Sequence, residues 1–186
     1  MLSTRFDDAL ACASDWHRAQ SRKGTQIPYI SHLMAVAALA IEYGGDEDAA
    51  IAALLHDAIE DAGQTEETLT ARFGPAVAQT VAQCSDFDGK GPRPDWQVRK
   101  QAYINAIATK SDRAALVTSC DKLHNATAIL EDLRQHGASV FDRFTAPREG
   151  TLWYYNELAQ ALSNRLPGAL TARLARTVET LSREAG

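Results

Sequence analysis

The stretch ALLHDAIEDAG, residues 53–63, joins two halves that do not belong on an ordinary helix. Seven apolar residues, Ala49 to Leu55, lead straight into His56 and Asp57, and Glu60 and Asp61 follow within one turn. A surface helix keeps its charges on one stripe from end to end. This one is apolar all round and then crowds four ionisable groups at its C-terminal end. Residues four apart share a face and neighbours sit about 100° apart, so the spacing sets His56 over Glu60 and Asp57 over Asp61. Three carboxylates at that end oppose the helix dipole. The segment from Asp46 to Ala71 holds no Lys or Arg to offset them. A cation from outside the polypeptide is expected, and a divalent metal ion suits the group.

The helical period extends through most of the chain. Phe6, Ala9, Leu10, Ala13 and Trp16 recur at three-four spacing, as do Leu116, Cys120, Leu123 and Thr127, and the alternation a sheet needs is missing. Ser31 is placed to cap a helix over 32–43 that Gly44 and Gly45 stop. Asp46 opens the next helix, which Gly63 closes. Thr65 caps a segment ending at Phe73-Gly74-Pro75, and a further helix spans 76–84. SDFDGKGPRPDW (85–96) reads as a long internal loop, because a boundary there leaves halves of about 85 and 90 residues, small for independent cores. Helices follow near 96–109, 112–134, 147–163 and 167–183. The expected fold is all-α: a compact single domain of eight to ten helices over residues 1–186.

The formal net charge of −5 argues against a nucleic-acid surface, which shows as a basic excess. Cys12, Cys84 and Cys120 are odd in number and lack metal-like spacing, so buried reduced thiols are expected. The N-terminal MLSTRFDDALACAS has no apolar stretch behind basic residues, and no run approaches the ~18 apolar residues of a membrane span. These features lead to the expectation of a cytoplasmic protein with a small-molecule partner, no nucleic acid and no membrane; a homo-oligomer is compatible with them.

Two ligands do not make a tight metal site, and the chain supplies others in similar settings. His32 falls inside the apolar PYISHLMAVAALA, and Asp121 inside AALVTSCDKLHNATAIL. His32, His56, Asp57 and Asp121 together offer two imidazoles and two carboxylates, which balance a divalent charge. A mixed His/Asp set suits Mn²⁺, Fe²⁺ or Zn²⁺ better than Mg²⁺ or Ca²⁺. The absence of cysteine ligands argues against a structural zinc.

His32, the His56-Asp57 doublet and Asp121 resemble the HD-domain superfamily of metal-dependent phosphohydrolases. HRAQSRKGTQIPYISH (17–32), ALLHDAIED (53–61) and SCDKLHN (119–125) resemble the hydrolase domain of RelA/SpoT-type alarmone enzymes. REGTLWYYNELAQAL (148–162) resembles the helix that follows in those proteins, so the likeness covers about residues 5 to 162. It implies a stand-alone small alarmone hydrolase, without synthetase or regulatory domain. The implied reaction removes the 3′-diphosphate of guanosine tetra- or pentaphosphate, giving GDP or GTP and pyrophosphate. It also implies one divalent ion, with Mn²⁺ expected, on His32, His56, Asp57 and Asp121. Glu60 and Asp61 would orient water and move protons. Arg22 and Lys23 match the family's basic pair beside the nucleotide, and Asn125 matches an Asn that contacts sugar or phosphates. Lys100, Arg148 and Tyr154 are further substrate candidates.

Two positions depart from the pattern. Leu33 stands where the family has Pro, which leaves the helix and the role of His32 intact. Thr127 stands where it has Arg, and the lost contact leaves room for another nucleotide, such as an adenine alarmone or the 2′-phosphate of NADPH. A catalytically silent nucleotide-binding regulator is a third reading, and retention of Glu60 and Asp61 counts against it. His17, His124 and His136 lack the spacing that a second metal requires, so a mononuclear site is expected.

Overall fold

The computed structural model describes residues 1–87 and 91–186; residues 88–90 of the expected loop lie outside them. Among the described residues the chain forms ten α-helices and no strand. They are α1 (Thr4–Trp16), α2 (Ile30–Glu42), α3 (Glu47–Leu55), α4 (Ala58–Ala62) and α5 (Glu66–Phe73). After these come α6 (Pro75–Cys84), α7 (Trp96–Ala106), α8 (Asp112–His136), α9 (Arg148–Arg165) and α10 (Ala169–Ala185). 3₁₀ turns at Ile107–Thr109 and Gly137–Arg143 follow α7 and α8. The all-helical single domain expected from the periodicity is the fold observed. No helix among the described residues is long and apolar enough to cross a membrane.

α3 is the centre of the molecule because it has no polar stripe to show to water. Every residue from Ala49 to Leu55 is buried, and α1, α2, α6 and α8 pack around it. Burying a Leu or Ile side chain contributes about 1.5–3 kcal/mol, so Ile51, Leu54 and Leu55 alone are a substantial part of the core. Asp46 starts this helix by accepting from the Ala49 amide at 2.9 Å. α10 is the amphipathic counter-case: it lays Leu170, Leu174, Val178 and Leu181 against α8 and α9 and leaves its other face in water.

Three local expectations change. The helix expected over 46–63 breaks at His56 and Asp57. Asp57 leaves helical geometry at φ −99° and ψ 4°, and the chain restarts as α4, ending at left-handed Gly63. At the break His56 is buried and Asp57 half-buried, and Glu60 and Asp61 follow on α4. Ser31 is not a cap, since α2 begins earlier, at Ile30, behind Tyr29. The Ser31 amide donates instead to the Pro28 carbonyl at 3.1 Å. Cys84 is half-buried, while Cys12 and Cys120 are buried, and all three thiols are free.

Candidate metal centre and cleft

Three segments far apart in sequence bring the four expected ligands together: α2 carries His32, the α3–α4 junction carries His56 and Asp57, and α8 carries Asp121. His32 Nε2 lies 3.2 Å from Asp121 Oδ1 and 3.9 Å from Asp57 Oδ2. His56 Nε2 lies 3.1 Å from Asp57 Oδ2 and 3.6 Å from Asp121 Oδ1. Both imidazoles are buried, and among the described residues neither Nε2 makes a hydrogen bond. Buried polar atoms are almost always paired, so two orphaned nitrogens aimed at two carboxylates fit a divalent cation.

The groups behind the ligands are equally specific. His56 Nδ1 donates to the Ala53 carbonyl at 2.8 Å, which leaves the Nε2 lone pair for an ion. Tyr29 donates its hydroxyl to Asp57 Oδ2 at 2.5 Å. Asn125 Nδ2 donates to Asp121 Oδ1 at 2.5 Å, and its own Oδ1 accepts from Arg22 at 2.7 Å. The other Asp121 oxygen pairs with half-buried Lys122 at 2.7 Å. Burial opposes a charge on Asp121, yet Lys122 and the two imidazoles hold its pKa well below the usual carboxylate range. Burial also opposes a charge on His56, but Asp57 and Asp121 hold it well above the ordinary imidazole value. A proton on His56 and a divalent ion therefore compete for the same carboxylates, and ion capture releases protons.

Adding the ion is expected to raise the melting temperature. Free ion at 100 times Kd contributes about 2.7 kcal/mol, or roughly 5–10 °C in a domain of this size. A thermal scan that EDTA leaves unchanged would count against the centre.

Glu60 and Asp61 diverge after the break. Glu60 is partly buried beside Asp86, with the Arg93 guanidinium against it, and its carboxyl is pushed up to about 7, by burial first and Asp86 next. Asp61 accepts from Gln20 Nε2 at 2.9 Å, and burial followed by Asp57 raises its pKa. A cleft of about 650 Å³ opens beside the cluster, with Arg22, Lys23, Asp61, His124, Asn125 and Tyr155 on its wall. Such a volume suits a small organic ligand. Tyr29, His124 and Asn125 line it as well as touching a ligand residue, so cleft and cluster are continuous.

The remaining substrate candidates separate. Arg22, Lys23 and Asn125 stand on the cleft. Lys100 sits behind Glu60, paired with Asp86 and 5.0 Å over the Tyr154 ring. Arg148 stands apart from that cleft wall: its guanidinium holds the Ala185 carbonyl at 3.0 Å and Glu149, tying down the end of α10. Tyr154 is buried beside Lys100, and among the described residues its hydroxyl has no partner. Adjacent helical residues point about 100° apart, so Tyr155 takes the cleft face. Sequence reasoning also missed Tyr29, Lys122 and Arg143. Arg143 reaches the cleft from the 3₁₀ turn after α8, pairs with Asp132 at 2.6 Å and lies across Gly24. A Cβ on Gly24 would come 2.5 Å from Arg143 Cδ, and its φ of +73° also favours glycine. Adjacency to a ligand was the available signal for Tyr29 and Lys122. None existed for Arg143.

The profile of the HD domain family matches residues 9–152. The chain belongs to the HD domain family. Among its HD-domain relatives is the guanosine-3′,5′-bis(diphosphate) 3′-pyrophosphohydrolase of Haemophilus influenzae, 37% identical over 81% of this chain and 21% of that protein. The chain thus spans about a fifth of that relative's length. The Drosophila melanogaster pyrophosphohydrolase MESH1 is 36% identical over 66% of this chain and 68% of its own. The HD fold superimposes on a metazoan ortholog of SpoT that hydrolyzes ppGpp, with a TM-score of 0.78 and 28% identity. That match covers 100% of this chain and 98% of the other.

Proposed function

We propose that this HD domain is a hydrolase that removes the 3′-diphosphate of guanosine tetra- or pentaphosphate, releasing pyrophosphate and GDP or GTP. The observation that carries the reading is the pair of orphaned Nε2 atoms facing two carboxylates beside a cleft walled by Arg22 and Lys23. The relatives' activity agrees with it.

His32, His56, Asp57 and Asp121 would hold one divalent ion, with Mn²⁺ the best match to mixed nitrogen and oxygen donors. When bound, such an ion supplies Lewis acidity to a water and to a phosphoryl oxygen. The chain's own groups do the rest. Arg22 and Lys23 neutralise phosphate charge, and Arg22 also holds Asn125 in place. Phe144 and Tyr155 give the cleft aromatic surface for a purine. Water attacks the phosphorus attached to the 3′-oxygen, the O–P bond breaks, and the ribose oxygen takes up a proton. Glu60, with its pKa near neutrality, accepts the proton of the attacking water, and Asp61 orients that water.

Protonating Glu60 removes the base, so kcat/KM is expected to fall with pH below about 7 and to level off above it. Glu60→Gln should lower kcat by about 10²–10⁴-fold while Mn²⁺ affinity stays unchanged. A profile that ignores this range, or a fully active Glu60→Gln, would assign the proton to another group. The substrate itself is tested by offering the Mn²⁺-loaded protein guanosine tetraphosphate, its adenine analogue and NADPH, with pyrophosphate and phosphate measured separately. Pyrophosphate from the guanine alarmone is expected; its absence sinks the proposal.

A further inference from the structure

The two ligand imidazoles differ in what holds the far side of each ring. His56 Nδ1 meets a backbone carbonyl, the common arrangement for a metal-binding histidine. Among the described residues, His32 Nδ1 meets neither carbonyl nor carboxylate. Its partner is Nδ1 of His124 at 2.8 Å, with ring centroids 4.9 Å apart and planes inclined at 45°. His32 is fully buried, so solvent does not reach that nitrogen. At this distance one nitrogen carries the hydrogen and the other accepts it. His32 Nε2, 3.2 Å from Asp121 and without a hydrogen bond, is the nitrogen that faces the cluster. For Nε2 to offer its lone pair there, the ring proton must sit on Nδ1.

We propose that His124 is a positioning residue for this centre: it accepts the His32 Nδ1 proton and so fixes His32 in the tautomer that ligates through Nε2. The same assignment puts the His124 proton on its own Nε2, which makes the ring a neutral donor on the wall of the cleft. His124 follows Asp121 by three residues, so the two share a face of α8. One helix thus supplies both a carboxylate ligand and the group that orients an imidazole ligand on α2. The inference rests on the metal reading above and adds to it a residue outside the four-ligand set.

The test compares Mn²⁺ binding, by calorimetric titration of metal-stripped protein, in wild type, His124→Phe and His124→Asn. Phe keeps the ring and removes the acceptor. Asn loses the ring but can set its amide oxygen near the position of Nδ1. His124→Phe is expected to bind Mn²⁺ about 10–100-fold more weakly, and His124→Asn within about threefold of wild type. If His124 merely filled space, the order would reverse. Wild-type uptake with equal affinity in His124→Phe overturns the inference alone; a wild type that takes up no metal overturns the metal reading and this inference with it. Should His124→Phe melt early, ¹⁵N spectra of the wild-type histidines, loaded with diamagnetic Zn²⁺, decide. The expected signature is His32 protonated at Nδ1 and His124 at Nε2, and the opposite pair of tautomers refutes the assignment.

Discussion

Asp121→Ala is expected to abolish both metal uptake and hydrolysis, with a loss of at least about 10⁴-fold in rate, the scale on which a whole catalytic device is removed. Asp121 Oδ1 lies within 3.6 Å of both proposed ligand imidazoles, and the same carboxylate is the counter-charge of half-buried Lys122. The substitution therefore does two things. It takes a donor from the proposed centre, and it leaves a half-buried ammonium without its carboxylate, at no more than about 3–5 kcal/mol of stability. Asp121→Ala with Lys122→Met separates them, because the apolar side chain removes the stranded charge. That double variant should recover most of the melting temperature and none of the metal binding. Full activity in Asp121→Ala, measured as pyrophosphate release, would refute the proposed centre.

Leu55→Ala should produce the largest loss of stability among conservative changes near the site. Leu55 is fully buried at the end of α3, immediately before His56. Truncating a close-packed Leu loses its transfer free energy and leaves a cavity, together about 2.7–5 kcal/mol. For a domain of this size that is a drop of roughly 8–15 °C in melting temperature. The exposed Leu2 provides the control, since Leu2→Ala should change stability by less than about 0.5 kcal/mol. Denaturant titration measures both. A loss below about 1 kcal/mol at Leu55 would mean that α3 is not packed as a central helix.

The sequence carried the fold where apolar spacing was continuous, as in α3 and α10, and where caps were polar and local, as at Asp46 and Thr65. It failed at the His56–Asp57 break. Nothing in the order of residues there marks a turn, and Asp57 leaves the helix in a setting built from distant partners, Tyr29 and the other ligands. The four ligand candidates could be read because charges inside apolar helices are conspicuous. Tyr154 and Tyr155 could not be told apart, since a period fixes a helix but not its rotation against neighbours. Arg143 was hidden for another reason: it enters from a 3₁₀ turn, where no period applies, and only the bare Cα of Gly24 lets it approach.

The proposed ligands at positions 32, 56, 57 and 121 are joined by a long intervening chain, most of it between α4 and α8. Closing such a span is an entropic cost that is met only when the distant elements dock. A chain in which α2, α3 and α4 have formed but α8 has not yet closed over them presents three donors without the fourth that holds them in register. The proposed centre therefore needs the finished tertiary structure. On the proposed reading, metal binding becomes a checkpoint on topology: a partly folded copy is expected to lack the complete donor set.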